Sequence, residues 1–296
     1  MHKTLLVLLG SMMIATACAP SHGDAREFEG RRATAPLVEA PDRFYTENGV
    51  TIRYRVIGEG EPVLLVHGYT DRVEMWAGTA DSLARDFRVI VPDWRGSGLS
   101  TKFADPAQYG RQMVTDLVGL LDHLGVRSTH VMGYSGGAVM VANLALDDPA
   151  RVRTATLIAG PFYPDSMSAL QAFGPQIDSL ARGHGIGPFF RWILPTWTDS
   201  AVASIVPAIT AANDSASLVA SLQAMPGWMI APERLAKAGA PAVAIVSVKD
   251  AFAGQSRYLA RHWPGLKLVE LQTHDHSDIF VAPAVVSEFR KLAGRT

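Results

Sequence analysis

The sequence predicts an α/β protein with a mostly parallel β-sheet, helices on both faces and a helical insertion near one edge. Short continuous apolar runs, such as PVLLVHG at 62–68 and FRVIVPDWRG at 87–96, end in turn residues, as strands buried on both faces do. Segments of helical spacing separate these runs, and strand–helix alternation indicates parallel pairing. The run GYSGG at 133–137 places a serine where a strand gives way to a helix.

Length and composition indicate a folded chain and a small ligand. The chain has 296 residues, 48% hydrophobic and 19% charged, which is enough for one large core or two small ones. Its net charge is -1, and Lys and Arg do not cluster, so nothing indicates nucleic-acid binding. We therefore expect a small, neutral or apolar partner molecule.

The first residues are typical of an export signal. Lys3 precedes an apolar run at 5–14 that is too short to span a bilayer, and small residues follow at 15–17. We predict a signal peptide at 1–17, which leads to a periplasmic or secreted protein. The end of this segment also resembles the lipobox of bacterial lipoproteins, with Cys18 as the lipidated residue. Cys18 would then tether the protein to a membrane; in the alternative, it is a thiol without function.

A polar, proline-punctuated stretch follows at 18–41, and we interpret it as a linker or tether. The first part of the folded core is predicted at 42–160. It opens with RFYTENGVTIRYRVIG, two strand-like runs around Asn48-Gly49, a dipeptide that favours a hairpin turn.

Helices and strands then alternate. A helix is predicted at 76–85, and a second one in YGRQMVTDLVGLLDHLGV has an apolar face. Its polar face carries Asp116, Asp122 and His123, which we expect to be solvated. Strands are predicted in THVMG at 129–133 and RTATLIAG at 153–160, with a helix between them that runs through Leu146.

The alternation breaks at 161–227, where aromatic residues and methionines lie among Gly and Pro. We predict a helical lid that closes an apolar pocket, with Arg191 as its candidate for binding a carboxylate. The second part of the core is predicted at 228–296. It contains strands in PAVAIVSVKD at 241–250 and LKLVELQTHDH at 266–276, and a last helix from Pro283 to Leu292.

The candidate nucleophile is Ser135, the centre of a G-x-S-x-G motif. In a tight turn between strand and helix the central residue takes strained backbone angles, and the flanking glycines relieve clashes. The hydroxyl then lies beside the positive end of a helix. The alternative is a chance match at a glycine-lined helix start.

A serine nucleophile requires a base, and the base requires an acid. In this motif's usual context they follow later strands in the order serine, acid, histidine. Asp250 comes just after one strand, and His274 and His276 come just after the next.

From about Phe44 to the last helix the chain resembles the α/β-hydrolase superfamily. The resemblance is carried by HGYT at 67–70, WAGTADSLARDFRVIVPDWRGSGLS at 76–100, and GYSGG. It implies an eight-stranded sheet, Ser135 as nucleophile, Asp250 as acid and a C-terminal histidine as base. It also implies an oxyanion hole made by the backbone N–H groups of Tyr69 and Gly136.

In the superfamily the base usually lies in a Gly-His pair about seven residues before a proline. His276 stands seven residues before Pro283, although Asp275 occupies the usual glycine position, so His274 stays an alternative base. Asp165 is a weaker candidate for the acid. The resemblance gives His67 a bracing role, and it assigns a structural turn to Asp93, Arg95, Gly96, Gly98 and Ser100.

The residue at the elbow separates the possible activities. Dehalogenases and epoxide hydrolases of this superfamily place Asp there, and Ser135 argues against both. No metal motif or nucleotide loop is present, so no cofactor and no metal are predicted. Hydrolysis of a carboxylic ester or lactone is the leading hypothesis. The alternatives are a C–C bond hydrolase, a cofactor-free perhydrolase and a non-catalytic ligand-binding protein.

Overall fold

The computed structural model describes residues 35–295, and eight strands in this part of the chain form one sheet. The strands are β1 Arg43–Glu47, β2 Val50–Ile57, β3 Glu61–Val66, β4 Phe87–Pro92, β5 Thr129–Tyr134, β6 Val152–Ile158, β7 Ala242–Ser247 and β8 Lys267–Leu271. Their order across the sheet is β1-β2-β4-β3-β5-β6-β7-β8. Pairing is antiparallel between β1 and β2 and between β2 and β4, and parallel elsewhere. This confirms the predicted sheet.

The hairpin between β1 and β2 forms as predicted. Asn48 and Gly49 both have positive φ, at 49° and 77°. Two such residues in succession make the turn whose twist matches that of the adjoining strands.

The α-helices are α1 Ala77–Leu83, α2 Arg111–His123, α3 Gly136–Asp147, α4 Ser166–Ala181, α5 Gly187–Ile193, α6 Asp199–Ala212, α7 Ser215–Ala224, α8 Pro232–Leu235, α9 Ala253–His262 and α10 Pro283–Leu292. Helices α1 and α10 pack into the core on one face, through residues such as Leu83 and Phe289. Helices α2 and α3 pack into the core on the other face.

Four helices, α4 to α7, lie between β6 and β7 and fall within the predicted insertion at 161–227. Three of them begin at a side chain that caps the helix. Asp165, Thr198 and Asp214 each accept a hydrogen bond from a backbone N–H in the first turn. Polar residues between apolar runs therefore set where these helices begin.

Two features differ from the sequence prediction. Helix α9, between β7 and β8, was not predicted. The predicted linker at 18–41 also reaches too far, because Leu37 is fully buried in the core. The backbone N–H of Leu37 donates to Asp81 at 2.7 Å, and its carbonyl accepts from Arg55 at 3.0 Å. The predicted signal peptide and the lipidation of Cys18 fall outside the described residues.

Within residues 35–295, no single helix combines the length and hydrophobicity needed to cross a membrane, and one strongly bent pair, α6 with Ser215–Trp228, meets that test when taken together.

The sheet itself positions the site. Parallel strands β3, β5, β7 and β8 end at one edge, and HGYT, Ser135, Asp250 and His276 follow those four strands in turn. Residues far apart in sequence therefore meet at this edge.

Candidate active site

Ser135 lies at a sharp turn between β5 and α3. Its backbone has φ 51° and ψ −121°, a conformation that side-chain-bearing residues rarely adopt. The Ser135 N–H donates to the Ile158 carbonyl at 2.8 Å. A Cβ added to Gly133 or Gly137 would collide with backbone carbonyl oxygens, so the turn can close only with glycine at both positions.

His276 connects Ser135 to Asp250. Its Nε2 lies 3.1 Å from the Ser135 Oγ, and its Nδ1 lies 2.9 Å from the Asp250 Oδ2. The other carboxylate oxygen, Oδ1, accepts from the Phe252 N–H at 2.8 Å. A carboxylate only accepts hydrogen bonds, so the proton of the neutral imidazole sits on Nδ1. Nε2 is then free to accept the serine proton.

Two aromatic rings hold the His276 ring in place. The ring centroids of Tyr134 and Phe252 lie 5.1 Å and 5.2 Å from it. The Tyr134 hydroxyl also donates to the His276 carbonyl. The imidazole is 3% exposed in total and cannot swing out of line without moving these groups.

The other sequence candidates lie elsewhere. The Nδ1 of His274 lies 2.9 Å from the Thr273 hydroxyl and makes no contact with Ser135. Asp165 caps α4 by accepting from the Ser168 N–H at 2.8 Å. Arg191 is about half exposed and pairs with Asp199 at 2.6 Å, so it does not reach the site.

The backbone N–H groups of Tyr69 and Gly136 are free to bind an anion. Neither has a hydrogen-bond acceptor within the part of the chain that the structure describes. Gly136 is the first residue of α3, where N–H groups have no partner within the helix and the helix dipole favours negative charge.

His67 braces the loop that carries Tyr69. Its Nε2 accepts from the Trp94 N–H at 3.2 Å, so its proton sits on Nδ1, which donates to the Gly68 carbonyl at 2.8 Å. Burial lowers the pKa of His67 and keeps it neutral. The ring is thus a structural link between the loop and the turn after β4.

That turn is held by buried charges. The Asp93 carboxylate accepts from Arg53 at 3.1 Å and from the N–H groups of Val73 and Leu99. Arg95 pairs with Asp116 on α2 through two hydrogen bonds of 2.6 Å each. The expectation that Asp116 is solvated is therefore wrong: its carboxylate points to Arg95 in the turn after β4 and not to water.

A cavity of about 170 Å³ opens at Ser135 and His276. One wall is apolar and comes from α5, α6 and the residue after α5: Phe189, Phe190, Ile193, Leu194, Ile205 and Ile209. Tyr69, Asp71 and Tyr134 line the same cavity. Sequence reasoning missed Asp71, although it directly follows HGYT; the motif gives no role to that position.

Asp275 links the histidine loop to the helical insertion. Its carboxylate accepts from the Trp197 Nε1 at 2.8 Å and from the Thr196 hydroxyl at 3.4 Å, both in the segment between α5 and α6. It also accepts from the Ser277 N–H at 2.8 Å. The residue that departs from the usual glycine thus joins the insertion to the residues around His276.

No group of three or more His, Cys, Asp or Glu side chains suited to a metal ion occurs within residues 35–295. The site therefore consists of a serine, an imidazole and a carboxylate in hydrogen-bonded sequence, with two free N–H groups beside the serine and a largely apolar cavity above it.

Comparison with known proteins points to one fold family. Residues 61–183 match the family model described as the alpha/beta hydrolase fold. The chain is 33% identical over 151 residues to 2-hydroxymuconate semialdehyde hydrolase of Pseudomonas sp. (strain CF600), covering 48% of this chain and 53% of that protein. It is 35% identical over 125 residues to an epoxide hydrolase of Caballeronia sordidicola, covering 42% and 38%.

These alignments are partial: the chain spans about half, or less, of the length of the first curated relatives it matches. Among solved structures, the enol-lactonase from Burkholderia xenovorans LB400 superposes with a TM-score of 0.72 at 21% identity, covering 86% of this chain and all (100%) of that one. At this identity the likeness establishes the fold alone.

Proposed function

Because residues 61–183 match the model of the alpha/beta hydrolase fold, we propose that the chain is a serine hydrolase of the α/β-hydrolase superfamily that cleaves a small, largely apolar carboxylic ester or lactone. One observation carries the proposal: the hydrogen-bonded series Ser135, His276 and Asp250 opens into a mostly apolar cavity. The fold alone would not determine the function, because the same fold hosts many activities.

Acylation begins when the Ser135 Oγ attacks the carbonyl carbon of the substrate. His276 Nε2 takes the serine proton, and Asp250 holds Nδ1 and stabilises the resulting imidazolium. The tetrahedral intermediate collapses as the bond from carbon to the alcohol oxygen breaks. His276 then gives its proton to that oxygen, leaving an acyl group on Ser135.

Deacylation repeats the sequence with water. His276 accepts a proton from the water as its oxygen attacks the acyl carbon. The second intermediate then collapses as the bond from carbon to the Ser135 Oγ breaks; His276 returns the proton to Oγ, and the acid is released. Both intermediates place negative charge on the former carbonyl oxygen, which the N–H groups of Tyr69 and Gly136 bind. Loss of one such donor costs on the order of 3 kcal/mol of transition-state stabilisation.

The cavity limits the acyl group. A volume of about 170 Å³ accommodates roughly six water-sized groups, at about 30 Å³ each, which corresponds to a short chain or a small ring. We propose that the insertion, α4 to α7, acts as the lid of this cavity, because α5 and α6 supply its apolar wall.

A C–C bond hydrolase is the second candidate. It is favoured by the 33% identity to 2-hydroxymuconate semialdehyde hydrolase, an alignment that covers about half of each protein. Acceptance of esters but not of such semialdehydes would separate the two functions.

The test is hydrolysis of p-nitrophenyl esters of increasing acyl length by the protein and by Ser135→Ala. We expect turnover of short acyl chains, which Ser135→Ala abolishes without loss of thermal stability. Ser204→Ala, which changes an exposed serine on α6, is the matched control and should behave like the parent. Ester turnover that survives in Ser135→Ala would overturn the proposal.

A further inference from the structure

We propose that Asp71 and the aromatic rings around the cavity form a recognition site for a positively charged acyl group, such as an alkylammonium. The inference rests on the proposed function and deepens it by naming the substrate class. Three observations support it: the backbone conformation that places Asp71 at the cavity, the absence of a hydrogen-bond or ion-pair partner for its carboxyl among the described residues, and the aromatic rings that line the cavity.

The residue before Asp71 has a strained backbone conformation. Thr70 has φ 70°, a left-handed value that is unfavourable for a β-branched residue. Its carbonyl accepts from the Asn213 side chain, just after α6, at 3.0 Å, and the Asp71 N–H donates to the Gly68 carbonyl at 3.3 Å. Strain maintained by contacts from a distant element is typical of functional positions.

The Asp71 carboxyl has no hydrogen-bond or ion-pair partner among the described residues. It lines the cavity beside Ser135 and His276 and faces mainly apolar side chains. Asp71 is partly buried. Removing a carboxyl from water without giving it a partner is costly, and buried polar groups in proteins are nearly always paired. A group supplied by the substrate would complete this contact.

Five aromatic side chains line the same cavity: Tyr69, Tyr134, Phe189, Phe190 and Phe280. The Tyr69 and Phe189 rings meet edge to face at 5.0 Å, and Phe189 meets Phe190 in the same way at 5.7 Å. The Tyr134 and Phe280 centroids lie 5.1 Å apart. Ring faces attract cations, and an aromatic cage with an acid in it is suited to an ammonium group.

The charged and titratable neighbours of Asp71 are few. Burial raises the pKa of Asp71 to about 7, against the opposing influence of His276 and Arg72. Tyr69 and Tyr134 stay neutral, because burial raises the pKa of each phenol well above its usual value. The histidine loop adds Asp275 and Asp278, and α5 and α6 contribute only apolar side chains to the cavity. Asp71 is therefore the acid in the cavity that changes charge near neutral pH.

The test compares two p-nitrophenyl esters of the same shape: that of trimethylammoniobutyrate and its neutral isostere, in which carbon replaces the nitrogen. The measured quantity is the ratio of their kcat/KM values between pH 6 and pH 8. Any effect of pH that acts on both esters alike cancels in the ratio. The variant is Asp71→Asn, and Glu59→Gln, an exposed acid between β2 and β3, is the matched control for losing one carboxylate.

We expect the ratio to rise about tenfold over this range, as the ionised fraction of a group with a pKa of about 7 goes from about one eleventh to about ten elevenths. In Asp71→Asn the ratio should be lower and independent of pH, whereas Glu59→Gln should follow the parent. An Asp71→Asn protein that keeps the parental ratio and its pH dependence would overturn the inference.

A binding measurement separates this inference from the proposed function. Tetramethylammonium is titrated calorimetrically into Ser135→Ala at pH 8 and into the double variant that also carries Asp71→Asn. The Kd should be roughly tenfold or more higher for the double variant. If neither ester is hydrolysed but this difference is found, the proposed function fails and the cationic site stands. If Kd is unchanged by Asp71→Asn, the cationic site fails whatever the esterase result.

Discussion

His274 and His276 lie two residues apart, yet only the His276 ring contacts Ser135. His274 has φ 70°, and its carbonyl accepts from the Ser247 hydroxyl at 2.8 Å. These features fix the loop after β8 so that the His276 side chain, two residues further on, points to Ser135. A sequence holding two histidines in HDH contains no pattern that reveals this backbone angle.

The two histidines give the first prediction. His276→Ala should lower kcat for p-nitrophenyl butyrate by about 10⁴-fold or more, because the serine loses its base. His274→Ala, which removes a ring that contacts Thr273, should change kcat less than about threefold. Steady-state kinetics of both purified variants checks this. A larger loss in His274→Ala than in His276→Ala would reverse the assignment.

The sequence alone did not indicate a role for Asp71. The proximity of Ser135, Asp250 and His276 could be predicted, because each follows a recognisable strand and the motif implies an order of residues along the chain. Asp71 follows a recognisable loop as well, but the role that we propose for it depends on the absence of a partner and on the side chains of α5 and α6 that line the same cavity. Those are properties of the packed structure.

Helix α2 carries two acids that look equivalent in sequence and differ in surroundings. The Asp116 side chain is 12% exposed and binds Arg95, whose side chain is 6% exposed, whereas Asp122 is 57% exposed. Helical periodicity alone places both on the polar face, and only the position of the turn after β4 shows that one of them is covered.

Asp116→Asn should therefore destabilise the protein by roughly 3 kcal/mol, because a largely buried guanidinium loses its charged partner. Asp122→Asn on the same helix should change stability by less than about 1 kcal/mol, as expected for an exposed ion pair. Chemical denaturation of the two variants measures both values. Equal effects would show that the Arg95 pair contributes no more than a surface contact.

The segment between α5 and α6 is fastened to the histidine loop through Asp275. Its carboxylate is partly buried; burial alone would raise its pKa, but hydrogen bonds from Ser277, Trp197 and Thr196 outweigh this and lower it. Because its pKa is lowered in the folded state, the Asp275 carboxyl stabilises its contact with Thr196 and Trp197 at every pH above its unfolded-state pKa. This contribution is lost as the pH falls through the folded-state pKa.

Trp197→Phe should thus speed hydrogen exchange at 194–199 at neutral pH, and acidification should add less further opening than in the parent protein. The matched control is Trp192→Phe, which alters a ring packed against Phe173 and Phe252 and leaves the Asp275 contact in place. Exchange measured by mass spectrometry would contradict the account if both variants opened the segment equally.

The secondary structure elements differ in how far the sequence determines them. The central strands are continuous apolar runs, so their positions could be predicted. Helix α9 was missed because its buried positions are Ala253, Ser256 and Leu259, which give little hydrophobic contrast. Its place between two parallel strands, rather than its composition, requires a crossover there.

For the molecule as a whole, the folded unit begins before β1. Leu37 is fully buried and bonded on both sides of its peptide, although its surroundings in sequence suggest a linker. Local composition could not show this, because the apolar surface that covers Leu37 comes from residues distant in the chain.

A chain that begins at Ala35 should therefore keep the thermal stability of the folded unit. A chain that begins at Asp42 should lose roughly 2 kcal/mol or more from the missing leucine, which lowers Tm by about 5 °C. Calorimetry of the two proteins decides. Equal Tm values would mean that residues 35–41 add nothing to the core.

Covalent labelling shows whether Ser135 is a nucleophile that His276 activates. The protein is treated with a fluorophosphonate, and peptide mass spectrometry locates the adduct. We expect one adduct on Ser135, no adduct at this position in Ser135→Ala, and much slower labelling in His276→Ala. A folded protein that forms no adduct, or forms it on another residue, would rule out this role for Ser135.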